Sequence, residues 1–449
     1  MRSNPRCHSF FWAALIIAFT ACTGPSADVP LPQDESEFRP PLTRPVRLAA
    51  PTPLSWVTTR LDSLPPPPTR RFDLARLPAT PLDMGGPQPL RALLPQWPFD
   101  LARFPATTYR LADIPKVNMG APVSRLGRPR KTKASLPVRR EAAAANVLQL
   151  GQEQGLTGTV VASLCPDPTG AMWVGTDQGL SYFDGQYCET YTVTQGLSTN
   201  QVTQVFLDSQ GRLWVSHMGF AVDVLDRRRG MVQHLSGDYG LTGNRASTFL
   251  EDAQGRVWIA HNNGVDVVNL AAGTVQNMTP AIWGSHTVNT LCRDRRGRLW
   301  VGGNDNRLLL LDPARGTVQQ VALPTPDNDI LQMLEDPHGR LWLATGGKGL
   351  YIIDEKLGRI QQLTTRQGLS HDFVTSLTRG LGQQMFVGTS GGGVDEYDGT
   401  RATLQPLRVD QGGLSSNLVL SLHFARDGQL WVGTSGKGIN LYRTFFPVR

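Results

Sequence analysis

Short runs of alternating apolar and polar residues recur along residues 144–449, and each run is too brief for a helix. VTQVFLD from Val202 and VLSLHFA from Val419 read as strands with one buried face. A polar turn follows each, then an apolar run built on an aromatic residue. These are Trp173, Trp214, Trp258, Trp300, Trp342, Phe386 and Trp431, separated by 41, 44, 42, 42, 44 and 45 residues. Four of the turns read Asp-x-x-Gly-Arg, at Asp208, Asp252, Asp294 and Asp336. A third strand (DVLD, LLLLD, LYIID) and a fourth (MVQHL, TVQQV, RIQQL, TLQPL) complete the unit. Four short strands per unit, joined by Asp- and Gly-rich hairpins, predict an all-β fold, a seven-bladed β-propeller of four-stranded blades. The aromatic rings are expected to fill the wedges between blades as core, contributing several kcal/mol each at ~25 cal/mol per Å² buried.

The seventh unit, from Leu414, runs only to its third strand at Tyr442. A matching fourth strand precedes the first unit, in Asn146-Val-Leu-Gln-Leu150, so an N-terminal strand is expected to close the ring.

Composition divides what lies upstream. Of 33 Pro, one is in residues 1–22, 23 lie in 23–143 and nine in 144–449. Residues 1–22 have Arg2 and Arg6 before ten apolar residues, Phe10 to Phe19, the length of a secretion signal and too short to span a bilayer. Residues 23–143 form a Pro-rich arm. An X-Pro every five or so residues is expected to keep it extended and to prevent ladder hydrogen bonds. Within it, Phe72-Asp-Leu-Ala-Arg-Leu-Pro-Ala-Thr80 recurs as Phe99-Asp-Leu-Ala-Arg-Phe-Pro-Ala-Thr107. That repeat suggests segments lying along a surface; the alternative is a plain spacer whose removal would leave the propeller stable.

Charge follows the same division. The formal net charge is +7, but residues 144–449 hold 24 Lys+Arg against 27 Asp+Glu. The arm has 18 against 10, with seven basic residues and no acid between Arg125 and Arg140, a stretch that could touch anionic headgroups or serve as solvated linker. A nearly neutral propeller argues against a nucleic-acid partner. Beyond Cys7 and Cys22, the cysteines are Cys165, Cys188 and Cys292, and Cys165 and Cys292 fall in apolar strand patterns as small buried hydrophobes. No Cys or His spacing matches a metal site, so neither a metal nor a cofactor is expected.

In a propeller, the loops entering strand one and those from strand two to strand three share a face. The second set is where the units diverge, which makes it the natural recognition surface. Its candidate ligand residues are His217, His261, Asn262, Asn263, Asn304, Asp305, Lys348 and Lys437. Amide, imidazole, ammonium and carboxylate groups together suit a polyhydroxylated or weakly acidic ligand. His217 and His261 are either solvated loop histidines or a paired hydrogen-bonding site. Asn200, Asn244 and Asn417 recur with the unit and read as turn caps.

The unit Gly-Leu-Ser-x-Asn-x-Val … Asp-x-x-Gly-x-Leu-Trp-Val-Gly-Thr resembles the two-component regulator propeller repeat. Leu197–Val202, Leu414–Val419, Met172–Thr176 and Leu430–Thr434 carry the likeness, with Ala246, Gly303 and Phe386 departing from it. The resemblance implies the periplasmic ligand-sensing part of a hybrid sensor kinase, often for carbohydrate, without catalysis. In that family an immunoglobulin-like domain, a membrane helix and a kinase usually follow the propeller. Here the chain ends at Arg449, so a separate membrane sensor kinase is the expected partner. Phe19-Thr20-Ala21-Cys22 resembles the lipobox of bacterial lipoproteins, which implies acylation of Cys22 and an envelope location held by a lipid anchor; the alternative is an ordinary signal cut near Ala21. The other functional readings are an interaction scaffold, or a propeller lyase acting on a polysaccharide or cyclic ester.

Overall fold

In the computed structural model the described residues are 88–135, 137, 147–219, 222–278, 287–326, 329–409 and 413–443. Cys22, the leader and the first copy of the arm repeat lie outside them. The described strands form seven antiparallel sheets, one per predicted unit. Blade two shows the pattern: Val202–Leu207, Leu213–His217, Val222–Asp226 and Met231–Leu235 pair in chain order. Strand-one segments contact one another around the ring, and Val419–Phe424 of blade seven returns to Val161–Pro166 of blade one. Blade seven takes its outer strand from Val147–Leu150, which pairs with Ile439–Tyr442. Among the described residues no helix is long and apolar enough to cross a membrane.

The unit aromatics occupy the seams. All seven are 5% exposed or less. Trp214 packs against Phe249 of blade three, Trp342 against Tyr397 of blade six, and Phe386 against Phe424 of blade seven. The turn aspartate also serves the indole. Asp336 Oδ1 accepts from the His338 and Arg340 backbone N–H groups, while Oδ2 accepts from Arg340 Nε and from Trp342 Nε1 at 2.9 Å. Asp208, Asp252 and Asp294 repeat this arrangement on Trp214, Trp258 and Trp300. Cys165, Cys188 and Cys292 are buried free thiols, and burial pushes them up to about 12, 11 and 11.

The arm departs from the sequence expectation. Six short strands, β1 (Gln88–Pro89), β2 (Gln96–Pro98), β3 (Ala106–Thr108), β4 (Lys116–Asn118), β5 (Val123–Arg125) and β6 (Arg130–Lys133), each add a fifth strand to a blade. They cover blades six, five, four, three, two and one in that order, antiparallel to the fourth strand each time. Proline does not prevent these ladders, because a residue such as Pro105, Pro115, Pro122 or Pro129 stands just before each strand. A strand of two to four residues fits between prolines, and an outermost strand needs partners on one side only.

The belt has a ten-residue step that matches the blade spacing. The backbone N–H groups of Phe99, Tyr109 and Met119 donate to the carbonyls of Gly358, Gly316 and Gly273 at 2.7, 2.7 and 2.8 Å. Phe99 and Tyr109, 6% and 7% exposed, plug the outer ends of successive seams. Gln319 Nε2 donates to the Leu101 and Phe104 carbonyls, and Gln276 Nε2 to those of Leu111 and Ile114. Fourth-strand glutamines thus tie these turns of the arm to the blades.

Candidate functional site

Strand two of each blade ends at the face where the divergent loops begin. Thr345, Thr389 and Thr434 close that hairpin by donating from Oγ1 to the Gly349, Gly393 and Gly438 carbonyls at 2.7, 2.9 and 2.8 Å. His217 and His261 stand at the corresponding positions of blades two and three, and their longer side chains reach the third strand instead. His217 Nε2 lies 2.7 Å from Asp223 Oδ2, and His261 Nε2 lies 3.2 Å from Asp266 Oδ2. The two histidines are 0% and 2% exposed. Each is committed to a carboxylate within its own blade, which accounts for both as buried structural groups rather than open loop residues.

Asp223 collects further partners. His234 Nδ1 sits 2.7 Å from Oδ1, and Ser198 donates from its backbone N–H and its Oγ. Burial pushes the Asp223 carboxyl up, but the hydrogen bonds from His217 and His234 outweigh it and hold the group well below the usual carboxylate range. The hydrogen bond to Asp223 raises His234 in turn.

The remaining candidates fall into two sets. Asn262, Asn263, Asn304 and Asp305 are connected. Asn263 donates from its backbone N–H to His261 Nδ1, and Thr287 joins blades three and four. Its Oγ1 donates to the Asn262 carbonyl, and its own carbonyl accepts from the Asn304 N–H. Asp305 and Asn306 hold φ of 58° and 61°, a left-handed pair that fixes how the blade-four loop presents its side chains. Lys348 and Lys437 stand exposed at equivalent places in blades five and seven, their backbones tied down by Gln362 and Gln149. Asn200 and Asn417 cap turns, accepting from the Val193 and Val409 N–H groups at 2.9 and 2.8 Å.

Blade six carries Asp395 where blade two has Asp223, but among the described residues no histidine pairs with it. Ser370 donates to both its oxygens, yet burial dominates and pushes its carboxyl up to about 6. The unfolded chain releases that proton near pH 4, so the folded state binds the extra proton between about 4 and 6. Stability is therefore expected to fall as pH rises through this window, by on the order of 2 kcal/mol. Blade seven shows the neutral solution: Asn440 accepts from the Ser415 N–H and donates to Ser415 Oγ. Asp395→Asn should raise the melting temperature above pH 6 and leave it unchanged at pH 4. Melting curves from pH 4 to 8 check this, and an unchanged value at pH 8 refutes it.

Sequence reasoning did not find a cavity of about 1180 Å³ on the opposite face, lined by hairpin turns and strand ends of blades seven, one, two and three. Phe183, Phe206, Phe424 and Trp431 contribute apolar walls, with Asp167, Asp184 and Asp427 among its polar lining.

The two-component regulator propeller matches residues 155–178, 196–219, 240–263, 283–305, 325–347 and 413–436. Among curated proteins no sequence matches the chain. The structure is similar to the extracellular domain of the hybrid two-component system BT3049 from B. thetaiotaomicron, with 20% identity and a TM-score of 0.57, over 66% of this chain and 41% of that one. The extracellular domain of the one-component system BT4673 from the same organism gives 18% and 0.55, over 71% of this chain and 40% of that one. The chain thus spans about two fifths of each. A catalytically inactive virginiamycin B lyase from Staphylococcus aureus, solved with quinupristin, gives 13% and 0.55, over 67% of this chain and 99% of the lyase. At these identities the likeness establishes the propeller fold. The two-component regulator propeller repeat thus recurs in six registers of a closed seven-bladed ring.

Proposed function

We propose that the chain is a non-catalytic, extracytoplasmic propeller that senses a polar ligand for a two-component regulatory system. The observation that carries this reading is the set Asn262, Asp305, Lys348 and Lys437, exposed, with Asn263 and Asn304, half-buried, which diverges on a frame otherwise held alike from blade to blade. Amide and ammonium donors beside one carboxylate suit a carbohydrate or a sugar acid. The family match and the fold shared with sensor domains support the sensing role. In this reading Cys22 carries a lipid anchor at the envelope, and a separate membrane sensor kinase receives the signal.

His217 and His261 are buried as well as engaged with carboxylates, which keeps them from a substrate proton and favours binding over base catalysis. A thermal-shift screen of oligosaccharides and sugar acids against the full chain should find a stabilising ligand. Asn304→Ala combined with Lys348→Ala should weaken it by about tenfold, as expected for two lost polar contacts. A ligand that stabilises wild type and variant equally places the site elsewhere. Turnover of a polysaccharide or cyclic ester that His217→Ala abolishes in a still-folded protein replaces sensing with a lyase reading.

A further inference from the structure

The cavity on the hairpin face has the chemistry of a second binding site, independent of the loop face above. Its apolar part comes from strand ends of different blades. Phe183 meets Trp431 edge-on with ring centroids 6.2 Å apart, and Phe206 and Phe424 line it from blades two and seven. Its charge is one-sided: Asp208 is paired with Arg212, which leaves Asp167, Asp184, Glu251 and Asp427 against the guanidinium of Arg426 in the lining. His423 adds no cation at neutral pH, because burial lowers it from its ordinary value.

Three of those carboxylates keep an oxygen free of turn bonding. Asp167 uses Oδ1 on Thr169, Asp184 uses Oδ1 on the Gln186 and Tyr187 N–H groups, and Asp427 uses Oδ1 on the Gln429 N–H. Each Oδ2 remains available to a ligand. The lining also contains Gln429, 4% exposed, whose side-chain carbonyl accepts no hydrogen bond among the described residues. A buried unpaired acceptor in native structure calls for a donor.

We propose that this cavity binds an organic cation with an apolar body, an alkyl- or arylammonium compound. The ammonium group would sit among the Asp167, Asp184 and Asp427 carboxylates, and the body against Phe424 and Trp431. The aromatic walls take up the apolar body, and the carboxylate lip attracts the cation by Coulomb interaction. A neutral analogue gains only the apolar contact, and an anionic one meets repulsion.

Isothermal titration of the full chain with phenethylammonium tests this, with 2-phenylethanol and phenylacetate as neutral and anionic matches. The amine should bind at least tenfold tighter than either, and more weakly as salt is raised. Asp184→Asn with Asp427→Asn preserves both turn-capping oxygens and should cost the amine about tenfold in affinity. Phe424→Ala should weaken the amine and the alcohol alike. Circular dichroism melts confirm that the variants fold. Equal binding of the three probes, no binding, or an unchanged affinity in the double asparagine variant overturns the proposal. Failure of the carbohydrate screen on the loop face has no bearing on it, because the two sites share no residue.

Discussion

A chain that starts at residue 144 is expected to aggregate, or to melt far below the full-length protein. It would keep all seven four-stranded blades but lose the belt. Removing β1 to β6 exposes the outer edges of six sheets, each a row of unpaired backbone groups ready to pair with another molecule. It also uncovers the seam ends filled by Phe99, Tyr109 and Leu126, which are 6%, 7% and 9% exposed in the intact chain. At about 1.5–3 kcal/mol per buried side chain, these three anchors alone rival the stability of a typical domain. Single substitutions should show the same effect in part. Phe99→Ala and Tyr109→Ala are each expected to cost about 2–4 kcal/mol, because the seam ends are held by blades that cannot collapse inward. Urea denaturation of the variants and light scattering of the shortened chain check both statements. A shortened chain that stays monomeric and melts within a few degrees of the full protein would show that the belt is a passenger.

The second large effect lies in the Asp-x-x-Gly-Arg turns. Asp336→Ala should destabilise the protein by about 3–5 kcal/mol, the range for breaking a buried charge network. Asp336 is 1% exposed, and its carboxylate accepts four hydrogen bonds, one of them from an indole with no exposure at all. Burial pushes this carboxyl up, but the bonds from Trp342 and Arg340 outweigh it and hold it below its ordinary value. Its contribution is thus present above about pH 4 and lost as pH falls through the lowered folded value. Blade one supplies an internal control. Ala171 replaces the arginine there, and the Trp173 indole N–H has no partner among the described residues. The Arg227 guanidinium covers that ring at 5.0 Å instead. Asp167→Ala, which removes only contacts to Thr169, should cost under about 1 kcal/mol. Equal losses for Asp336→Ala and Asp167→Ala in guanidinium melts would refute the network account.

Seven blades, their order and their aromatic seams were all legible along the chain. The reason is that each blade pairs strands that are neighbours in sequence, so the repeat writes the local structure out seven times. The aspartate of the turn was legible as a turn residue, and its indole bond sits only six residues away. The histidines were found as a matched pair, but their burial was decided by Asp223 and Asp266. Those residues reach back across the hairpin to occupy the imidazoles. A His followed five or six residues later by an Asp was the available signal.

The belt was hidden more deeply. Its strands have two to four residues, too few to show alternation, and their partners lie between roughly 60 and 315 positions away. Proline, read locally, forbids a ladder; at an outer edge it only sets where each short ladder begins. The ten-residue step of Phe99, Tyr109 and Met119 was present in the sequence. It acquires meaning only against the spacing of blade rims, which exists once the ring has closed. The cavity has the same origin, since its walls come from blades seven, one, two and three, which no stretch of sequence brings together. Local periodicity determined the blades; ring closure, a long-range event, decided what covers their edges and which side chains face one another across the centre.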